Sequence, residues 1–149
     1  MTLELRAETL RLAFRDPFRI ARSHAEEGRG ATTVVIELRD PADGPAGPVG
    51  LGEGYPEPYY GETAATMAAV FPLLIEAIAP FEAGLRGGLA EARVALEGAS
   101  RAMDAALHHN GGAKCAVDIA LHDLVGKRLG LPVHRVVGLS PAIPPTDFT

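Results

Sequence analysis

Leu3, Leu5 and Ala7 alternate with polar residues on one phase, and Leu10, Leu12 and Phe14 alternate on the other. A period of two marks a half-buried β-strand, so the change of phase near Glu8 and Thr9 predicts a bulge or bend within one strand. Residues 16–30 carry no such period and read as a long loop. Residues 31–39, with Thr32, Thr33, Val34, Val35 and Ile36, make a β-branched run that predicts a second strand. Pro41, Gly44, Pro45, Gly47 and Pro48 interrupt regular structure before a short third strand over residues 49–53. The three strands form an antiparallel meander.

From Gly61 onward the period lengthens. Thr63, Ala64, Met67, Ala68, Val70, Phe71, Leu74, Ile75 and Ile78 recur at helical spacing, and Pro72 inside that pattern predicts a kink or a break unless it occupies a first-turn position. A second helix over residues 89–107 places Leu89, Ala92, Leu96, Ala99, Met103 and Leu107 on one stripe, with Gly98 as its weak point. Residues 108–112 form a turn. A third helix starts near Asn110 and is apolar on most of its circumference through Ala116, Val117, Ile119, Ala120, Leu121, Leu124 and Val125. Gly130 and Pro132 end it, and such a helix is expected to lie among several neighbours. Strands followed by helices indicate an α+β domain, a small sheet packed on a helical bundle.

Composition narrows the class. At 149 residues and 47% hydrophobic the chain can bury one sizeable core, whereas a (β/α)₈ barrel takes about 250 residues. A net charge of −5 with scattered basic residues gives no footprint for nucleic acid. The amino terminus has no basic segment followed by an apolar one, and no apolar run reaches the roughly 18 residues of a membrane span. A cytoplasmic protein without membrane contact is expected. Cys115, the single cysteine, falls within the apolar helix, where a small buried thiol is the ordinary outcome.

Two loops carry the candidate chemistry, since binding residues concentrate on loops held by a scaffold. The first contains Pro17, Phe18, Arg19, Ile20, Ala21, Arg22, Ser23, His24 and Glu26, with Arg15 and Arg29 beside it. The planar guanidinium fork suits carboxylates, and Arg22 is the foremost candidate, against the alternative that these arginines solvate an exposed loop. The second loop, residues 52–62, holds all three tyrosines: Tyr55, Tyr59 and Tyr60. Its prolines and rings suit a flap over a small ligand, or equally a packing contact. Gly50, Gly52 and Gly54 lack dinucleotide-binding spacing. Asp118, His122 and Asp123 share a helical neighbourhood without a third ligand at metal spacing, which favours a hydrogen-bonded anchor at a domain contact. His108 and His109 fall in a turn, and His134 is expected to face solvent. No nucleophile elbow, phosphate loop or paired-carboxylate constellation is present.

The run from Ala113 to Lys127, followed by Leu129, Gly130, Leu131, Pro132 and Val133 and by Val136, Val137 and Gly138, resembles the N-terminal-domain signature of the mandelate racemase and muconate lactonizing enzyme group of the enolase superfamily. The segments Pro17 to Arg22, Gly52 to Pro56 and Tyr60 to Glu62 are most similar to dipeptide epimerases of the L-Ala-D/L-Glu type. The resemblance implies a capping domain over residues 1–140, with residues 141–149 as a linker and the start of a (β/α) barrel that this chain lacks. It implies an isomerase in which the barrel supplies the proton-transferring lysines and the Mg²⁺ ligands, so no catalytic or metal-binding residue is expected here. The chain alone is then inactive. Ile20, Arg22, Ser23, His24, Tyr55, Tyr59 and Tyr60 become the substrate-contacting candidates for a dipeptide or other small carboxylate. A muconate cycloisomerase or o-succinylbenzoate synthase cap, and a free-standing binding domain, stay open as alternatives. The implied partner is the barrel, and an uncovered apolar surface would invite a homo-oligomer.

Overall fold

The computed structural model describes residues 2–16 and 30–142. Strands β1 (Glu4–Ala13), β2 (Gly30–Arg39) and β3 (Val49–Gly54) form one antiparallel sheet in the order β1-β2-β3. Helices α1 (Ala64–Ile78), α2 (Glu82–Leu85), α3 (Leu89–Ala106), α4 (Gly111–Leu129) and α5 (Val133–Val136) follow. The α+β meander-and-bundle architecture is therefore present, with α2 and α5 as single-turn additions that short sequence windows do not reveal.

The pairing of β1 with β2 runs unbroken from Glu4 opposite Arg39 to Ala13 opposite Gly30, so the expected bulge is absent. Leu5 and Ala7 share the face of Val34, Ile36 and Leu38, which is turned to the helices. Leu10 and Leu12 lie on the opposite face, and Leu12 is about half exposed. The phase changes because both faces of β1 carry apolar residues.

Val34, Ile36 and Leu38 of β2 bury completely against α1, α3 and α4, which contribute Met67, Phe71, Leu74, Ile78, Leu96, Met103, Val117, Leu121 and Leu124. Strand β3 contributes no side chain to this core. Its helix-facing residues are Gly50, Gly52 and Gly54, and a Cβ at each would overlap the carbonyl oxygens of Ala120, Ala116 and Gly112 respectively. Glycine in a strand interior marks such a backbone-to-backbone approach, and here it lets α4 lie directly on β3.

Helix α4 departs from its expected all-round burial. Ala113, Ala116, Val117, Ala120, Leu121, Leu124 and Val125 are covered, but Ile119 is 43% exposed and Cys115 is exposed as well. Both belong to a face that the domain itself does not cover. Helix α1 continues through Pro72 without interruption, although that residue denies the carbonyl of Ala68 its helical partner. The helical stretch Ala64–Leu85 is long and apolar enough to cross a bilayer by length and composition, at a mean hydropathy of 1.8. On sequence alone no apolar run reaches the roughly 18 residues of a span, and in the fold the Met67–Phe71–Leu74–Ile78 side of this stretch packs in the core. Gly98, expected as a weak point in α3, is where a Cβ would strike the Phe81 ring, so its lack of a side chain makes room for that ring. His134 is half-buried rather than solvated.

One end of the sheet is closed by charge. The buried Asp40, just past β2, accepts from Arg86 Nε at 2.7 Å and Nη2 at 3.0 Å, from Arg128 Nη2 at 2.6 Å and from the Ala42 amide at 2.9 Å. Asp43 shares Arg128 at 2.6 Å, and Glu82 accepts from Arg86 at 3.1 Å and from the Leu3 amide at 2.9 Å. Burial pushes the Asp40 carboxyl up, but the Arg86 hydrogen bond, the Ala42 amide and the two guanidinium charges together hold it below the usual carboxylate value.

Two outcomes follow for stability. Replacing Gly52 by Ala is expected to cost about 3 kcal/mol, because the new methyl meets backbone that cannot move without displacing α4, and urea denaturation would read it. Replacing Asp40 by Asn is expected to cost about 3 kcal/mol at neutral pH. Since the folded-state pKa is depressed, the ionised carboxylate's contribution is complete above the unfolded value of about 3.9 and is lost as pH falls through the folded one. The gap between Asp40→Asn and the parent chain should therefore shrink below about pH 4, as followed by thermal denaturation across pH.

Candidate functional site

The other end of the sheet carries the Pro-rich loop between β3 and α1. Pro56 is buried. Pro58, Tyr59 and Tyr60 form a 3₁₀ turn capped by the Glu57 carboxylate, which accepts from the Tyr59 amide at 3.1 Å. Gly61 closes the turn at φ 81°, a left-handed conformation that favours glycine. Tyr59 and Tyr60 meet edge to face at 5.1 Å and remain largely exposed.

Glu62 ties this loop to α4. Its buried carboxylate accepts from the Gly112 amide at 2.9 Å, in the first turn of that helix. Asn110, expected to start the helix, does stand at its N-cap position but in a left-handed conformation without a side-chain cap bond, and its amide donates to the His108 carbonyl instead. The anion at the helix terminus thus comes from Glu62, some fifty positions earlier, where the partial positive charge of the terminus favours it. Gly112 has to lack a side chain, since a Cβ there would press on Glu62 and on the Tyr55 carbonyl.

Between this loop and the ends of β1 and β2 lies an open cleft of about 350 Å³. Arg11, Gly30, Ala31, Thr32, Tyr55, Pro56, Pro58 and Glu62 are among its lining residues. A guanidinium and three hydroxyl-bearing side chains, those of Thr32, Tyr55 and Thr63, around such a cleft suit a small anionic ligand. Of the sequence candidates, Tyr55 lines the cleft, whereas Tyr59 and Tyr60 do not. Ile20, Arg22, Ser23 and His24 lie outside the described residues. Arg11 was missed, because attention to loops passed over a strand residue. Its signal was the odd-numbered phase Leu5–Ala7–Thr9–Arg11, which places it on the helix-facing side at the loop end of β1.

The Asp118, His122 and Asp123 group sits elsewhere, along the far edge of β3. Asp123 accepts from the Leu51 amide at 2.7 Å and from Lys127 Nζ at 2.6 Å, and Lys127 also donates to the Val49 carbonyl at 2.7 Å. Two side chains of α4 thereby satisfy backbone groups on that edge. His122 Nδ1 lies 2.9 Å from the Asp118 carbonyl, a contact that requires the proton on Nδ1 because a carbonyl only accepts. Asp118, His122, Leu51, Ile119, Val133 and Val137 line a shallow depression of about 550 Å³ beside the point where the chain leaves α5. Among the described residues no group of three or more His, Cys, Asp or Glu side chains converges as a metal site would require. The described part therefore offers no donor set that fits Mg²⁺.

Residues 3–138 match the sequence profile of the mandelate racemase / muconate lactonizing enzyme N-terminal domain. The chain belongs to this family. An L-Ala-D/L-Glu epimerase of Bacteroides thetaiotaomicron is 37% identical over 106 residues, covering 69% of this chain and 24% of that protein. Among solved structures, an L-Ala-D/L-Glu epimerase superposes with a TM-score of 0.59 at 22% identity, over 93% of this chain and 34% of its own. The 2-chloromuconate cycloisomerase from Rhodococcus opacus 1CP gives 0.62 at 24% identity, over 95% and 34%. At those identities the two structures speak to the fold alone. The chain spans about a quarter to a third of the length of these relatives. Like the N-terminal domains of the family, it is one part of what the longer enzymes contain.

Replacing Glu62 by Gln keeps the shape but removes the charge at the α4 terminus. A loss of about 1 kcal/mol is expected, with faster hydrogen exchange at Gly112 and through residues 55–61, both measurable on the purified chain.

Proposed function

We propose that this chain is the capping domain of a dipeptide epimerase, which closes over a small carboxylate substrate and contributes recognition rather than proton transfer. The observation that carries this reading is the 37% identity to an L-Ala-D/L-Glu epimerase. The cleft under the Tyr55 loop is consistent with it, because it gathers Arg11, Tyr55 and Thr32 at the end of the sheet where β1 stops and β2 begins. In this reading Arg22 binds a substrate carboxylate, with Ile20, Ser23 and His24 beside it, while Tyr55, Tyr59 and Tyr60 help exclude water when the loop closes. Mg²⁺ and the proton-transferring groups belong to a C-terminal barrel, where the metal would stabilise the charge that develops as the α-proton leaves. The depression around Leu51, Ile119, Val133 and Val137 is the surface that meets this barrel, next to the chain's exit from α5. A cytoplasmic setting accords with the lone cysteine.

The test is a chimera in which this chain replaces the matched N-terminal part of the Bacteroides epimerase. It should epimerise L-Ala-L-Glu, and Arg22→Ala should raise KM roughly tenfold or more with a smaller change in kcat, as loss of a charge-assisted contact would. A folded chimera that cyclises muconate but leaves the dipeptide untouched contradicts the reading. So does unchanged KM in the Arg22→Ala variant.

A further inference from the structure

The two edges of the sheet are treated differently. On β3 the Leu51 amide and the Val49 carbonyl are satisfied by Asp123 and Lys127 of α4. On β1, among the described residues, no strand pairs with the side away from β2. A long free edge is a template for another strand unless proline, a bulge or unmatched charge blunts it; β1 has no proline, lysine or bulge, and the charged residues Glu4, Arg6 and Glu8 alternate in sign, so that they can be matched across an edge. Beside it, between β1 and α1, runs an apolar groove of about 550 Å³ lined in part by Leu5, Ala7, Ala68, Phe71, Pro72 and Ile75.

The charges on β1 identify the occupant. Glu4, Arg6 and Glu8 share the face turned away from the helices and form no ion pair among the described residues. In a two-fold antiparallel pairing whose axis stands perpendicular to the sheet, residues opposite one another must come from the same face. An axis through Arg6 would set Arg6 against itself and Glu4 against Glu8. An axis through Glu8 would set Glu8 against itself. An axis through Ala7 instead places Arg6 opposite Glu8 twice, Leu5 opposite Thr9, and the small Ala7 opposite Ala7. An axis through Leu5 also opposes Glu4 to Arg6, but the edge ends there, because Leu3 is buried and its amide is bonded to Glu82.

We propose that β1 pairs antiparallel with β1 of a second copy about an axis through Ala7, joining two sheets into one of six strands with all helices on one side. Opposite charges directly across a strand pair stabilise it, and the groove beside α1 is closed by the partner's edge. The surface lies on the opposite edge of the sheet from the depression at Leu51 and Ile119, so the dimer does not depend on the capping role.

Light scattering on the intact chain tests this, and a mass of twice 15.6 kDa is expected. Arg6→Glu and Glu8→Arg should each give a folded monomer by circular dichroism, and the double swap should restore the dimer. Glu4→Arg should leave it intact, which separates the Ala7 axis from the Leu5 axis. Ala7→Cys in a Cys115→Ser background should form a disulfide dimer on mild oxidation, because strand partners stand about 4.5–5.5 Å apart at Cα, within reach of such a bond. A monomeric parent chain overturns the proposal. So does a dimer that survives Arg6→Glu but falls apart with Leu51→Glu, or a failure of Ala7→Cys to cross-link.

Discussion

Everything in this domain is set out from the direct contact between the backbones of α4 and β3. Gly50, Gly52 and Gly54 present no side chains to the helix, and Gly112, Ala116 and Ala120 meet them with carbonyl oxygens. Because the two elements touch at backbone distance, the helix has essentially one register along the strand. That register delivers the first turn of α4 to Glu62 and its last turn to Asp40 and Asp43 through Arg128. The contact also explains why the core is asymmetric. With nothing to contribute from β3, burial falls to Val34, Ile36 and Leu38 of β2 and to the facing sides of α1, α3 and α4.

The two ends of the sheet then divide the work. The Asp40–Arg86–Arg128–Asp43 cluster is a partly buried ionic clasp around the buried Asp40, whose partners come from the residues just past β2 and α2 and from α4, and it lies at the end of the sheet away from the Tyr55–Tyr60 loop. At the opposite end, the Glu62 bond to the α4 terminus fixes the base of the Tyr55–Tyr60 segment while leaving Tyr59 and Tyr60 exposed. A loop anchored at its root and open at its tip suits the recognition role proposed for it.

Much of the architecture was legible because it rests on local periods. The three strands and the helices α1, α3 and α4 fall within a residue or so of where alternation and helical spacing put them. Readings that depended on long-range partners went astray. The glycines of β3 were weighed as a nucleotide loop and set aside, with no local clue that they face another backbone. The phase change in β1 suggested a bulge, although what differs is the covering of the two faces. Cys115 and Ile119 looked buried because composition does not tell a helix covered by its own domain from one that awaits a neighbour. Asp40, Arg86 and Arg128 lie far apart in sequence, so nothing local announced their association. At the candidate site, Tyr55 was found through its loop, while Arg11 escaped notice because it sits in a strand.

The central claim is that this chain recognises substrate and leaves proton transfer to a separate barrel. Incubating L-Ala-L-Glu with Mg²⁺ in D₂O, and following deuterium entry at the Glu α-carbon by mass spectrometry, tests it most directly. The account predicts no incorporation above background with this chain alone and clear incorporation once it is joined to the C-terminal part of the Bacteroides epimerase. Incorporation by the 149-residue chain alone, at a rate comparable to the fused enzyme, would contradict it.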